Sequence, residues 1–549
     1  MRNLTILISV TGLVALSSCA LVYDYEGYGG AGGAGASGSM SSSVSAGGDG
    51  GVGGQGGIGG EGGVGGQGGT GGTGGVPCGV EICDTEGSES CDAVSCSSVA
   101  WAARWGAIDH QQVNALATND TNIVLAGHYA GEAFDLGGTT LPAPGGTGSS
   151  AFVAVLSKEG QGLAAFPVMG AIGYPPRSAL GLAVSTSTEI LVTGYVSVLA
   201  GGLDPDVFIN KMSFAAGSPQ LAFSAHFGGD GEDKGVAAAL DASGGLVVLG
   251  KVSAKAAMSV KPDLDCNGTK TVLKDGMFVV SYDASGNCKW YTQIEGTGIE
   301  PTALAIAPSN KIHVTGHFKG SMRPPFGPDL TAAAAAEMFL FQLDDKGAVV
   351  MLKPNGAAPL LDTAEVRPRA LSFDQSGRMF VAGDVQGNTE VAPGLGAMQT
   401  AAFVMAFQDN GSPAWKQVYA GDSQSLSGGP TATGLAATNG KLYLTGVFSE
   451  SIDIDPSKPD GGLVQRAGYN PFLARLDIAG ARADWLHVFS GMDQKDSASP
   501  FYARMLGAEV VVAGSWIKPL RVSLDSANGI LAPKGDGTSD TDIVAAKFK

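Results

Sequence analysis

A short apolar run closing on glycine recurs seven times between residues 100 and 549, as IVLAGH, LVTGY, LVVLGK, IHVTGH, MFVAGD, LYLTGV and VVVAGS. The glycines are Gly127, Gly194, Gly250, Gly316, Gly383, Gly446 and Gly514, spaced 56 to 68 residues apart. A fixed period that holds several short strands per copy is the pattern of a β-propeller, in which a single copy cannot bury its own faces and stacks on its neighbours. The expected fold is all-β, a seven-bladed β-propeller.

Each copy carries four strand-like stretches. A milder apolar stretch precedes the glycine run, as at 180–184, 302–306 and 369–373. After a variable connection comes an alternating strand: AFVAVL, VFINKM, MFVVSY, MFLFQL, AFVMAF, PFLARL and DIVAAKF. Such alternation predicts strands with two unlike faces. A glycine-centred turn follows at Gly160, Gly217, Gly286, Gly347, Gly411 and Gly480. The fourth strand, often marked by tryptophan (Trp290, Trp415, Trp485), ends on glycine. The seventh copy stops at Lys549, after its third strand. Its fourth is expected from residues 101–106, which carry the same tryptophan and terminal glycine, and which would pair with 542–548 and remove an open sheet edge. Glycine weakens a strand interior, so the seven strand glycines imply a bulge or a close backbone approach rather than a ligand site.

The N-terminus reads as an export signal. Arg2 is followed by an apolar run over 4–16, too short for a permanent membrane helix. Leu16-Ser17-Ser18-Cys19 resembles the bacterial lipobox, which implies lipid attachment at Cys19, and Ala20 in place of aspartate implies the outer membrane. Two or more acyl chains give stable anchoring. The organisation expected is a signal peptide over 1–18, a Gly/Ser-rich flexible tether over 19–76, a cysteine-rich segment over 77–96 and the propeller over 97–549. The tether repeats Gly-Gly-X without proline, which excludes collagen. About 50 such residues reach roughly 40 Å.

Without Cys19 the cysteines are even in number, as in an oxidising compartment. Cys78, Cys83, Cys91 and Cys96 are expected to form two bridges of unassigned connectivity, with zinc as the less favoured alternative because no histidine lies nearby. Cys266 and Cys288 are candidates for a third, worth about 3 kcal/mol in the chain-entropy picture. The formal charge is −18 with only 15% charged residues and no basic run, which argues against nucleic acid.

The glycine-closed second strand, the signature turns and the passage Tyr282-Asp283-Ala284-Ser285-Gly286-Asn287-Cys288-Lys289-Trp290 together resemble the bacterial seven-bladed β-propeller repeat family. The resemblance covers residues from about 100 to 549. It implies an exported surface lipoprotein and transfers no catalytic residue.

Candidate chemistry is sparse. Asp263-Leu264-Asp265-Cys266-Asn267-Gly268 matches the opening of a calcium loop, in which oxygens at alternate positions wrap a hard cation. Position twelve is Lys274 and Cys266 competes as a disulfide partner, so a polar turn is favoured over metal at Asp263, Asp265 and Asn267. Asp453, Asp455 and Asp460 form a second acidic loop. Ser281, Asp283, Gly286 and Trp290 are similar to a displaced sialidase Asp-box, a structural turn. His128 and His317 directly follow the strand glycine in copies one and four, where ordinary polar surface is expected over acid–base or metal chemistry. No nucleophile elbow, P-loop, HExxH or dinucleotide fingerprint occurs. No catalytic residue and no cofactor is therefore assigned, calcium being the one weak candidate. The expected function is binding or scaffolding by a monomer, with the membrane (through the lipid) and a glycan, envelope polymer or protein as partners. The alternatives are a propeller lyase or hydrolase acting on glycan, and a purely structural envelope component. The connections at 128–150, 251–276, 317–337 and 447–470 are the longest, and a partner is expected on the face that carries them.

Overall fold

The computed structural model describes Val99 to Phe548 apart from segments within the connections: 145–147, 171–175, 187–188, 198–204, 216–217, 229–230, 254–263, 326–328, 334, 355–363, 390, 409–410, 423–428, 439, 457–461, 492–500, 517–519, 522–529 and 532–540. Before Val99 it describes the backbone of four short strands, Val76–Cys78 paired with Glu81–Cys83 and Ser90–Cys91 paired with Cys96–Ser97. The chain divides into two units, 1–71 and 72–549, and the described residues all belong to the second. The signal segment 1–18, Cys19, the glycine-rich stretch after it, Asp263, Asp460 and the side chains of Cys78, Cys83, Cys91 and Cys96 lie outside the described residues.

The described residues form a seven-bladed propeller, all-β throughout. Blade 1 is the antiparallel set Gln111–Thr118, Asn122–Tyr129, Ser150–Ser157 and Gly162–Pro167, in that order from the axis outward. Blades 2 to 6 repeat the plan, and the first strands of successive blades touch one another all the way round, which closes the ring. Blade 7 is built from Tyr502–Leu506, Glu509–Trp516 and Asp542–Phe548, completed by the N-terminal strand Val99–Trp105. Ile543 pairs with Trp105 and Phe548 with Val99. The two ends of the propeller segment therefore occupy the same sheet, and Val99–Trp105 covers the edge of Asp542–Phe548.

Seven apolar clusters hold the disc together, one between each pair of neighbouring blades. The period of two distributes each strand between them. In the third strand of blade 1, Phe152, Ala154 and Leu156 join the cluster shared with blade 7, while Ala151, Val153 and Val155 join the one shared with blade 2. The two faces expected to be unlike are thus both buried, because every blade is sandwiched between two others.

The glycine-centred turns and the tryptophans form one joint between blades. Trp101 Nε1 donates to Lys158 O at 2.9 Å, and its ring lies over Gly160 in the next blade, where an added Cβ would stand 2.9 Å from Cε3. Trp290 repeats this on blade 4, donating to Asp345 O at 2.8 Å over Gly347. These turn glycines also need positive φ, +80° at Gly160 and +82° at Gly347.

The long connections carry strands of their own. Blade 6 extends its second and third strands to Lys441–Asp453 and Leu463–Asp477, so most of 447–470 is hairpin rather than open loop. In blade 4 the pair Ser321–Arg323 and Leu330–Thr331 docks on the end of the outer strand of blade 3, with Glu295 opposite Arg323. In blade 7, Leu520–Arg521 docks in the same way on Ser490–Gly491 at the end of blade 6. A lone loop would leave those strand ends unpaired; the hairpins cover them.

Candidate functional site

The strand glycines have a packing explanation. In blades 1 to 6 the first strand bulges by one residue opposite the glycine, as between Val113 and Ala115 or Pro368 and Ala370. The bulge pushes a carbonyl into the space a side chain would fill. A Cβ on Gly127 would stand 1.8 Å from Gln112 O, and on Gly383 2.1 Å from Arg367 O. The extra residue then turns its side chain toward the next blade. Asn114 Nδ2 donates to Ala179 O at 3.0 Å, Thr302 Oγ1 to Pro368 O at 2.8 Å and Thr433 Oγ1 to Phe501 O at 2.6 Å.

Just past each glycine the chain reaches the face that carries the long connections. The residue after the glycine and its partner on the first strand are Gln112 and His128 in blade 1, Ser178 and Tyr195 in blade 2, Lys234 and Lys251 in blade 3. They are Glu300 and His317 in blade 4, Arg367 and Asp384 in blade 5, Thr431 and Val447 in blade 6. Ser515 holds the position in blade 7, where its Oγ accepts from Val113 N at 2.9 Å. Ionised groups are confined to blades 3, 4 and 5. Arg369, the bulge residue of blade 5, adds another.

These side chains form a connected polar sector. Lys251 is ion-paired with Glu300, and Arg367 with Glu365. Asp384 receives Arg369 Nε at 2.8 Å and lies 3.7 Å from Arg367 Nη1. His317 sits among them at 8% exposure, and its Nδ1 is buried with no hydrogen-bond partner. Burial pushes its pKa down to about 3, and Arg369, Arg367, Lys319 and Lys251 add to the fall. The imidazole is therefore neutral at pH 7, a polar group with spare hydrogen-bonding capacity near four cations. Lys234 lies 5.2 Å from the Tyr195 ring centroid at the blade 2 border.

His317 is thus not ordinary polar surface: it sits within this sector, where closure of the ring brings blades 3 and 5 against blade 4. His128 is half-buried across the ring, with Nδ1 3.3 Å from Ser178 Oγ and 3.4 Å from Asn114 Nδ2, and burial followed by His110 pushes its pKa down to about 4. The two histidines share a fold position but no site. Glu300, Lys319, Glu365, Arg367 and Arg369 escaped the sequence reading. The available signal was Arg367-Pro368-Arg369, two cations flanking the residue opposite the glycine, where other copies have Gln112 and Asn114, Ser178 and Leu180, Lys234 and Val236, Glu300 and Thr302, or Thr431 and Thr433.

The calcium-loop candidates fall elsewhere. Leu264–Cys266 and Thr269–Thr271 form a hairpin whose tip is Asn267 at φ 57° and Gly268 at φ 76°. Those angles are of a two-residue primed turn, and Asp265 Oδ1 is engaged by Gly268 N at 2.9 Å. Asp265 and Asn267 thus close the hairpin turn. Cys266 is bonded to Cys288, with Cα atoms 5.0 Å apart, and this straps the hairpin to the outer strand of blade 3. Between the hairpin and the outer strand of blade 2 lies a cavity of about 360 Å³ lined by Phe223, His226, Tyr282 and Asn287 among others. In the second acidic loop, Asp453 Oδ1 accepts from Asp455 N at 3.1 Å, and burial and the Asp455 charge raise the Asp453 pKa. The Asp-box-like segment is the turn of blade 3, where Asp283 Oδ1 accepts from Ser285 N and Asn287 N at 2.9 and 2.8 Å.

Among the described residues, fold and site together define a seven-bladed propeller with a charged sector on its long-connection face. No family model matches the chain. No curated protein matches it either. Among solved structures it is similar to polysaccharide lyase Uly1, at 9% identity over 79% of this chain and 89% of that one, with a TM-score of 0.41. It is similar to a protein of unknown function from Dyadobacter fermentans at 12% identity, over 68% and 94% of the two chains, with a TM-score of 0.36. A gluconolactonase from Xanthomonas campestris matches at 13% identity, over 64% and 86%, with a TM-score of 0.30. At such identities and TM-scores these likenesses carry no functional argument, and function rests on the site itself.

Proposed function

We propose that this protein is an exported, monomeric lipoprotein, anchored to the outer membrane through Cys19, whose propeller binds a glycan, an envelope polymer or a protein on its long-connection face. The observation that carries the binding site is that ionised groups at the position just past each strand glycine, and at its first-strand partner, are confined to blades 3 to 5. The opposite face supports the choice by contrast, because its turn aspartates are consumed locally. Asp344 Oδ1 accepts from Lys346 N and Ala348 N at 2.9 and 2.8 Å, and Asp374 Oδ1 from Ser376 Oγ and Arg378 N at 2.6 and 2.9 Å. Variable connections on a rigid scaffold are where recognition concentrates.

The test is a binding screen of the full chain against glycans and envelope fractions. Replacing the blade 6 extension over 447–470 should weaken binding, while replacing the turn at 344–347 should leave it intact; the reverse would put the site on the wrong face. Anchoring is tested separately. Cys19→Ala should abolish palmitate labelling and release the protein from membranes, and unlabelled protein that stays in the membrane fraction would refute the lipid anchor.

One observation favours catalysis as a second reading. A buried imidazole with an unpartnered nitrogen lies within the sector, and a bound anion that offsets the surrounding cations would raise its basicity toward that of a general base. Incubating the full chain with polymers that bind, and following the release of new chain ends, tests this; an unchanged polymer length distribution removes it.

A further inference from the structure

We propose that the sector spanning blades 3 to 5 binds the carboxylate or sulfate groups of a polyanionic polymer, with Lys251, Lys319, Arg367 and Arg369 as its cations and His317 as a neutral donor at its floor. This rests on the binding function proposed above and names the class of ligand. Charge count is the first support. Four cations meet three carboxylates, Glu300, Glu365 and Asp384, in a chain whose formal charge is −18. The named groups are therefore net positive by one charge where the chain as a whole is negative.

Geometry is the second support. Two arginines share the buried carboxylate of Asp384, with Arg369 Nε at 2.8 Å and Arg367 Nη1 at 3.7 Å. This arrangement holds both guanidinium groups in place before any ligand arrives, and a planar guanidinium pairs well with carboxylate and sulfate oxygens. Glu300, opposite His317 on the first strand, holds Lys251 at the same border. Lys319 is exposed, so the sector opens to solvent on the blade 4 side.

His317 is the third. A buried nitrogen left without a partner costs free energy unless something supplies one, and Nδ1 is such an atom. A neutral imidazole can donate one hydrogen bond to an anion without adding a fifth positive charge to a crowded site. Its depressed pKa agrees with that role.

Three polymers test the inference on the full chain: polygalacturonate for carboxylate, dextran sulfate for sulfate and dextran as the neutral control. One charged polymer should bind at least about tenfold more tightly than dextran, as expected when charge-assisted hydrogen bonds are gained. Which of the two binds identifies the anion. Arg369→Gln and Lys251→Gln should each weaken binding about tenfold, while Lys158→Gln, on the opposite face, should not. Should Arg369→Gln melt early, Lys319→Gln carries the test on an exposed side chain. Charged polymers that bind these variants as tightly as the wild type would overturn the anion sector. So would dextran binding as well as the charged polymers, although sensitivity to the blade 6 replacement would then leave the binding function standing. Failure of all three polymers together with the wider screen would remove both.

Discussion

Arg104 in the N-terminal strand holds Asp542 in the last strand, Nε to Oδ2 2.7 Å, with both side chains 1% exposed. Arg104 Nη2 also donates to Trp516 O at 2.9 Å. Gly106 makes room for the pair, since a Cβ there would stand 1.8 Å from Asp542 Oδ1. Blade 2 repeats the geometry with His226 and Asp206 at 3.2 Å beside Gly228. The glycine that ends these fourth strands therefore admits a carboxylate from the third. In blade 7 the resulting contact ties one end of the propeller chain to the other.

Asp542→Ala should cost about 3–5 kcal/mol, because it leaves a buried guanidinium uncompensated. Replacing both partners with apolar residues, Arg104→Met with Asp542→Leu, should recover most of that loss. Denaturant unfolding of the three proteins measures it. A single mutant within about 1 kcal/mol of wild type would show that the pair does not secure closure.

Gly383→Ala should destabilise by about 1–3 kcal/mol or more, because the new methyl meets a backbone carbonyl that the bulge cannot withdraw. Gly480→Ala should stay within about 0.5 kcal/mol, since nothing lies within 4 Å of its added Cβ. Equal effects in thermal unfolding would contradict the packing account of the strand glycines.

Three histidines predict acid sensitivity. His317, His128 and His313 have folded pKa values of about 3, 4 and 4, each set first by burial. His313 is held neutral inside blade 4, with Nε2 2.9 Å from Gln342 Nε2 and Nδ1 3.3 Å from Lys311 O. Above about pH 6.5 the folded and unfolded states are both neutral, so the groups contribute nothing there. Below it only the unfolded chain takes up protons, and stability falls until the folded pKa is reached. By pH 5 the buried His317 should cost about 2 kcal/mol. His317→Gln should flatten the fall in unfolding free energy between pH 7 and 5, and an unchanged slope would show that this imidazole is not held neutral.

Reducing the Cys266–Cys288 bond should remove up to about 3 kcal/mol. The effect should centre on the strap, with faster hydrogen exchange over 264–271 and little change in the inner strands of blade 3. Uniformly faster exchange across the blade would instead make the disulfide a determinant of the whole sheet.

Repetition made the ring legible. Strand alternation, turn glycines and terminal tryptophans are all encoded within a few contiguous residues, so their period could be counted, and the missing outer strand of the seventh copy could be sought at the other end of the chain. The glycine at each second strand was readable as a packing device for the same reason, since copies at one position average out any single ligand. The sector around His317 was not legible. Its members are ordinary charged residues from three copies, Lys251, Glu300 with His317, and Arg367 to Asp384, separated by tens of residues. The pair Arg367 and Arg369 is a local signal, but it does not show which groups of blades 3 and 4 it faces. Only closure of the ring sets blade 3 and blade 5 against blade 4, buries the imidazole and concentrates the cations. Burial and charge proximity are properties of three-dimensional packing, and they are what turn a histidine in a polar position into the centre of a site.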